Sequence, residues 1–163
     1  MLRAAAIALV VVALPLNAKD SLGVFDDWAA FRDPQTPRCY AIAMPQPSRS
    51  ASDYRAYASV GTWPARGVRG QVHLRLSRKV SDTSSIVVAI GRERFRLSGG
   101  GGDAWATDKA MDAALSAAMR SNRSMSVSAI DARGRRFTDR YSLSGAATAM
   151  DAATVGCAKV RPR

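Results

Sequence analysis

Residues 71–77, QVHLRLS, put Val72, Leu74 and Leu76 on one side of an extended chain and His73 and Arg75 on the other. A helix cannot use that alternation, because its apolar residues must recur every three or four positions. The stretch is therefore a strand with one buried face, and the rest of the chain has to supply its neighbours. Several short segments between turn residues fit that demand. CYAIAM (39–44) stops at Pro45 and Pro47, and YRAYASVGTW (54–63) stops at Pro64. SSIVVAI (84–90) is apolar on both faces and reads as central, and RFRLS (94–98) follows it with Phe95 and Leu97 inward. SMSVSAI (124–130) and RRFTDRYSL (135–143) flank the hairpin signal DARG (131–134). GGGGD (99–103) reads as a flexible break.

Two segments change period. In 107–120, Met111, Ala114, Leu115, Ala118 and Met119 form one apolar stripe at helical spacing, with Thr107 as the expected cap and Arg120 in the last turn. After Ser144, a second expected cap, Ala147, Met150, Thr154 and Cys157 fall on one side of an alanine-rich helix. Small side chains let such a helix lie close against a sheet. The pattern is a mostly β chain of short strands with two helices.

The first residues carry Arg3, then an unbroken apolar run from Ala4 to Leu16, then the small Ala18. This is the layout of a secretory signal peptide, residues 1–18, cleaved after Ala18. The run is shorter than the ~20 residues of a membrane-spanning helix, so no transmembrane segment is expected after cleavage. Residues 19–163 then make one domain, periplasmic or secreted. In an oxidising compartment the only two cysteines, Cys39 and Cys157, are expected to form a disulfide, tying the first strand to the last helix.

The search for chemistry is mostly negative. The chain has no GxSxG, HExxH or Walker motif and no Cys/His metal spacing, so no catalytic residue, cofactor or metal ligand is assigned. His73, the only histidine, lies on the polar face of its strand and reads as solvent-facing. Asp26 and Asp27 are adjacent, and in an extended segment they would point opposite ways. Trp28, Trp63 and Trp105 read as core or rim packing rather than as a ligand platform. The positive signal is charge. The net charge is +11, and all the basic residues except Lys19, Lys79, Lys109 and Lys159 are arginine. Arg75, Arg78, Arg92, Arg94, Arg96, Arg135 and Arg136 flank the central strand and the last hairpin, and form the candidate anion-binding set. Guanidinium forks suit carboxylate and phosphate. Outside the cytoplasm the expected partner is an anionic envelope component or an acidic protein, and not nucleic acid.

The segment YSLSGAATAMDAATVGC resembles the C-terminal signature of the invasion-associated locus B family, through Ser142, Leu143, Gly145, Ala149 and Cys157. Phe25, Asp26, Asp27 and Trp28, shortly before the Cys39 strand, are similar to its N-terminal end. One departure stands out. Members often carry a second cysteine pair before the penultimate helix, where this chain has SGGGGDAWA (98–106). The resemblance implies an exported bacterial β-sandwich of short antiparallel strands, linked with host-cell entry or envelope biology, and brings no catalytic residues. The expectation is thus a non-catalytic envelope or surface interaction protein. A secreted hydrolase whose site assembles only in three dimensions, or a purely structural periplasmic factor, stands as the alternative.

Overall fold

The computed structural model describes residues 19–158, so the expected signal peptide lies outside the described residues. The chain is mostly β, with two helices and a Cys39–Cys157 disulfide. The strands are β1 (Asp20–Phe25), β2 (Trp28–Asp33), β3 (Arg38–Ala43), β4 (Tyr57–Trp63), β5 (Val68–Arg75), β6 (Ile86–Ile90), β7 (Glu93–Gly100), β8 (Asp103–Trp105), β9 (Ser124–Ile130) and β10 (Arg136–Ser142). They form one antiparallel sheet in the order β1-β2-β3-β4-β5-β8-β7-β6-β9-β10. The sheet curls until its ends meet. The Trp28 indole N–H donates to the Ser142 carbonyl at 2.9 Å, and the Gln46 amide donates to the Arg140 carbonyl at 2.7 Å.

The disulfide strand is the third, not the first. The sequence hides the preceding hairpin because its turn is only Asp26-Asp27, with Phe25 directly opposite Trp28 and Asp26 at φ 48°. A short Asx side chain is among the few that tolerate that conformation. The glycine run is likewise no loose break: Gly99 and Gly100 belong to β7 and pair with Ala104 and Asp103.

Helix α1 (Lys109–Ser121) buries Leu115, Ala118 and Met119 and packs on β5 and β7. Asp108, rather than Thr107, caps it: its Oδ1 accepts the Met111 amide at 2.8 Å. Asp112 of α1 accepts the Val72 amide of β5 at 2.8 Å, at a point where β8 is too short to pair with β5. Helix α2 (Ala146–Ala158) lies against β1–β4. Its buried edge is Ala146, Ala149, Met150, Ala153 and Cys157, whereas Thr154 is exposed and Ala147 only half-buried. The stripe is thus rotated from the expected one and is built largely of small residues, and the core it joins includes Ala30, Ala41, Ala43 and Ala58 of β2, β3 and β4. Ser144 does not cap α2, because its hydroxyl donates to Asp26 at 2.8 Å. Among the described residues no helix is long and apolar enough to cross a membrane.

Candidate functional site

Ladder registry decides which arginines share a face. Residues directly opposite one another in neighbouring strands point to the same side. One row runs Arg94, Ala89, Ser126, Arg140 across β7, β6, β9 and β10. The next runs Arg96, Val87, Ser128, Thr138. The alternate positions, Val88, Val127 and Tyr141 among them, are buried in the core. Arg94 and Arg96 thus stand at one edge of the outer face of this half-sheet, and Arg136 and Arg140 at the other. Three strand spacings, about 14 Å, separate the two edges. The side chains between are short, so the guanidinium groups overlook a low floor.

Arg136 and Arg140 also border a cleft of about 530 Å³ where the 44–56 segment runs along β10. Arg55 faces them from that segment, with Ser48, Ser50 and Ser52 beside it. Among the described residues the guanidinium groups of Arg55, Arg136 and Arg140 make no ion pair and no hydrogen bond. The single acidic residue of the cleft, Asp139, is buried and accepts the Ser77 amide at 2.9 Å. The cleft is therefore a concentration of unsatisfied positive charge beside hydroxyl donors.

The other candidate arginines are differently placed. Arg78 also lines the cleft, but it is buried with its Nη1 2.8 Å from Asp131 Oδ2, so its charge is paired inside the protein. Arg135 shares the same carboxylate at 3.3 Å. The Asp131 carboxylate also accepts the backbone amides of Arg133 and Arg135, and these donors, the Arg135 amide foremost, lower its pKa to about 2. Arg75 is paired with Asp103 and lies over the Tyr54 ring at 3.9 Å. Arg92 is exposed in the tight turn between β6 and β7. Of the candidate set, Arg94, Arg96 and Arg136 share one face, whereas Arg75, Arg78 and Arg135 are each paired with a carboxylate.

Sequence reasoning missed Arg55, which is remote in the chain from the last hairpin and reaches it only because the 44–56 segment folds back along β10. Arg140 is legible among the arginines around the last hairpin, although outside the candidate set: it follows Arg136 by four positions in a strand, which returns it to the same face. Trp28 is buried in the core, as expected of a packing residue. Trp63 and Trp105 instead line a groove on the outer face of the sheet. His73 also lies on that face, 2.9 Å from Asp103. No family model matches the chain, and neither a curated protein nor a solved structure matches it.

Proposed function

We propose that the protein is an exported interaction protein of the bacterial envelope or surface, of the invasion-associated locus B type, which binds an anionic partner without transforming it. The observation that carries this reading is the trio Arg55, Arg136 and Arg140. All three line one serine-bordered cleft, and none of their guanidinium groups pairs with its single carboxylate, the buried Asp139. Folding gains little from gathering like charges, so a bound anion gives the arrangement its use. Planar forks beside hydroxyl donors suit the oxygens of a phosphate or carboxylate, and Arg94 and Arg96 extend the positive field along the same outer face. Lipopolysaccharide phosphates are the ligand class that the envelope offers in quantity.

Binding of the oxidised protein to lipopolysaccharide across a salt series tests the reading. The expected result is a steep loss of affinity with salt, and at least about tenfold weaker binding for Arg136→Ser with Arg140→Ser, since charge-assisted hydrogen bonds contribute roughly 1.5–3 kcal/mol each. No binding even at low salt, or unchanged binding by the double variant, would make these arginines charges for solubility alone.

A further inference from the structure

The outer face of β3, β4, β5 and β8 breaks the usual rule that the solvated side of an antiparallel sheet is polar. Tyr40, Tyr57, Trp63 and Trp105 all line a groove of about 280 Å³ there. The reason lies on the opposite side of the same strands. On β3 and the adjoining end of β4, which α2 covers, the inward positions hold the small Ala41, Ala43 and Ala58, and the large Tyr40 and Tyr57 point out. The groove floor is low because β4 contributes Ser59 and Gly61, and the Trp63 indole lies across Gly61, where a Cβ would come within 2.6 Å of the ring.

Trp105 is held as a one-sided platform. His73 stacks on one of its faces, with ring centroids 5.0 Å apart and planes 16° apart, and Tyr57 meets the His73 ring edge-on at 5.5 Å. Asp103 fixes His73 from the side at 2.9 Å. Trp105 is nevertheless 38% exposed, so part of it is presented to solvent in a fixed pose. Three strand spacings away, about 14 Å, the groove turns cationic. Lys19 and Arg38 lie against the Tyr40 ring at 5.9 Å and 4.8 Å. Lys19 makes no ion pair among the described residues. Arg38 has a buried Nε without an acceptor and touches Asp33 only at 3.5 Å.

We propose that this groove binds an acidic oligosaccharide, one sugar ring stacking its C–H face on Trp105 and a uronate carboxylate about three units further along the chain meeting Lys19 and Arg38. A flat ring with one free face suits the apolar side of a pyranose, and the volume accepts a short segment rather than a folded partner. Net positive charge at one end selects the acidic chain over a neutral one. The site is separate from the arginine cleft and does not rest on it.

The test is titration of the oxidised full-length mature protein with a hyaluronan octasaccharide and, separately, a neutral chito-oligosaccharide, read by tryptophan fluorescence and calorimetry. Trp63 and Trp105 report on the groove, while Trp28 is shielded in the core. Hyaluronan should bind more tightly than the neutral chain. Trp105→Ala should weaken it by roughly tenfold, the scale seen when a stacking ring is removed from a binding face. Lys19→Gln, at an exposed position remote from the core, should clearly reduce the preference for the acidic chain, Arg38 keeping the remainder. Arg136→Ser with Arg140→Ser should leave hyaluronan binding unchanged. The proposal is overturned if neither chain binds, if the neutral chain binds as tightly, if Lys19→Gln behaves as the parent, or if the Arg136/Arg140 variant is the one that loses hyaluronan.

Discussion

Gly145 is packed directly on the backbone carbonyl of Phe25, so that a Cβ at position 145 would overlap the Phe25 oxygen. Its φ of +82° is also one that side-chain-bearing residues adopt at a cost. This contact seats the start of α2 on the β1–β2 hairpin and joins the two ends of the sequence.

Gly145→Ala should therefore cost about 2–4 kcal/mol, from backbone strain and overpacking together. Gly67 is a fair control: it has φ +63°, but a Cβ there would meet nothing within 4 Å. Gly67→Ala should cost only about 1–2 kcal/mol. Denaturant melts of the two variants decide the matter; equal losses would mean that the Phe25 contact is unimportant.

The disulfide makes a second prediction. It closes a span of 118 residues, and Cys39 is wholly buried. In the chain-entropy picture, replacing both cysteines by serine should cost about 4–5 kcal/mol. The folded oxidised protein should show no thiol to an alkylating reagent, and reductant should act quickly only when denaturant is added. Two alkylatable cysteines in the unfolded, unreduced protein would refute the bond.

Asp112 separates charge from hydrogen bonding. Burial raises its pKa, while its oxygen satisfies the Val72 amide. An acid whose folded pKa is raised favours the protonated form, so its charge detracts from stability as pH rises through that value. Asp112→Asn keeps an acceptor and drops the charge, so at neutral pH it should be as stable as the parent or slightly more so. Asp112→Ala strands the Val72 amide and should cost about 1–3 kcal/mol. Thermal melts at pH 7 that rank Asn below Ala would sink this account.

Asp131 acts in the opposite sense. Its pKa is lowered to about 2 by the Arg135 and Arg133 amides and the Arg78 side chain. A carboxylate lowered on folding contributes stability that is complete above its unfolded value, near 4, and is lost as pH falls toward 2. Asp33, lowered chiefly by the Thr36 amide, and Asp151, lowered by Arg120, add in the same direction. Asp131→Asn should be less stable than the parent at pH 7, since Arg78 loses its buried partner, yet its stability should change less between about pH 4 and pH 2. An acid limb as steep as the parent's would mean that other carboxylates control it.

What can be read from the sequence follows from physics local to each segment. Val72, Leu74 and Leu76 announce their strand because alternation is a one-strand property. Met111, Leu115, Ala118 and Met119 announce α1 for the same reason at helical period. The β1–β2 hairpin is invisible because its signal, a left-handed Asp26, is a backbone state and not a residue pattern. Which face of β3 and β4 looks outward is also hidden. Tyr40 and Tyr57 alternate with alanines, and large residues would ordinarily be assigned to the core; only the docking of α2 reverses the choice. The arginine cleft is half legible: strand period gives Arg136 and Arg140, but Arg55 arrives through a fold-back that no local rule encodes. Arg78 is misplaced by sequence because a buried arginine and an exposed one look alike until the carboxylate of Asp131 is found 53 residues away.

The long span of the disulfide also sets a timetable. A chain synthesised from its N-terminus at ~5–20 residues per second presents Cys39 about 6–24 seconds before its disulfide partner exists. During that interval the thiol has no correct partner within its own chain. With only two cysteines in the sequence, it has no wrong one there either. Any error must therefore be made with another molecule, so crowding of nascent chains, rather than scrambling within one, is the hazard that this architecture leaves open.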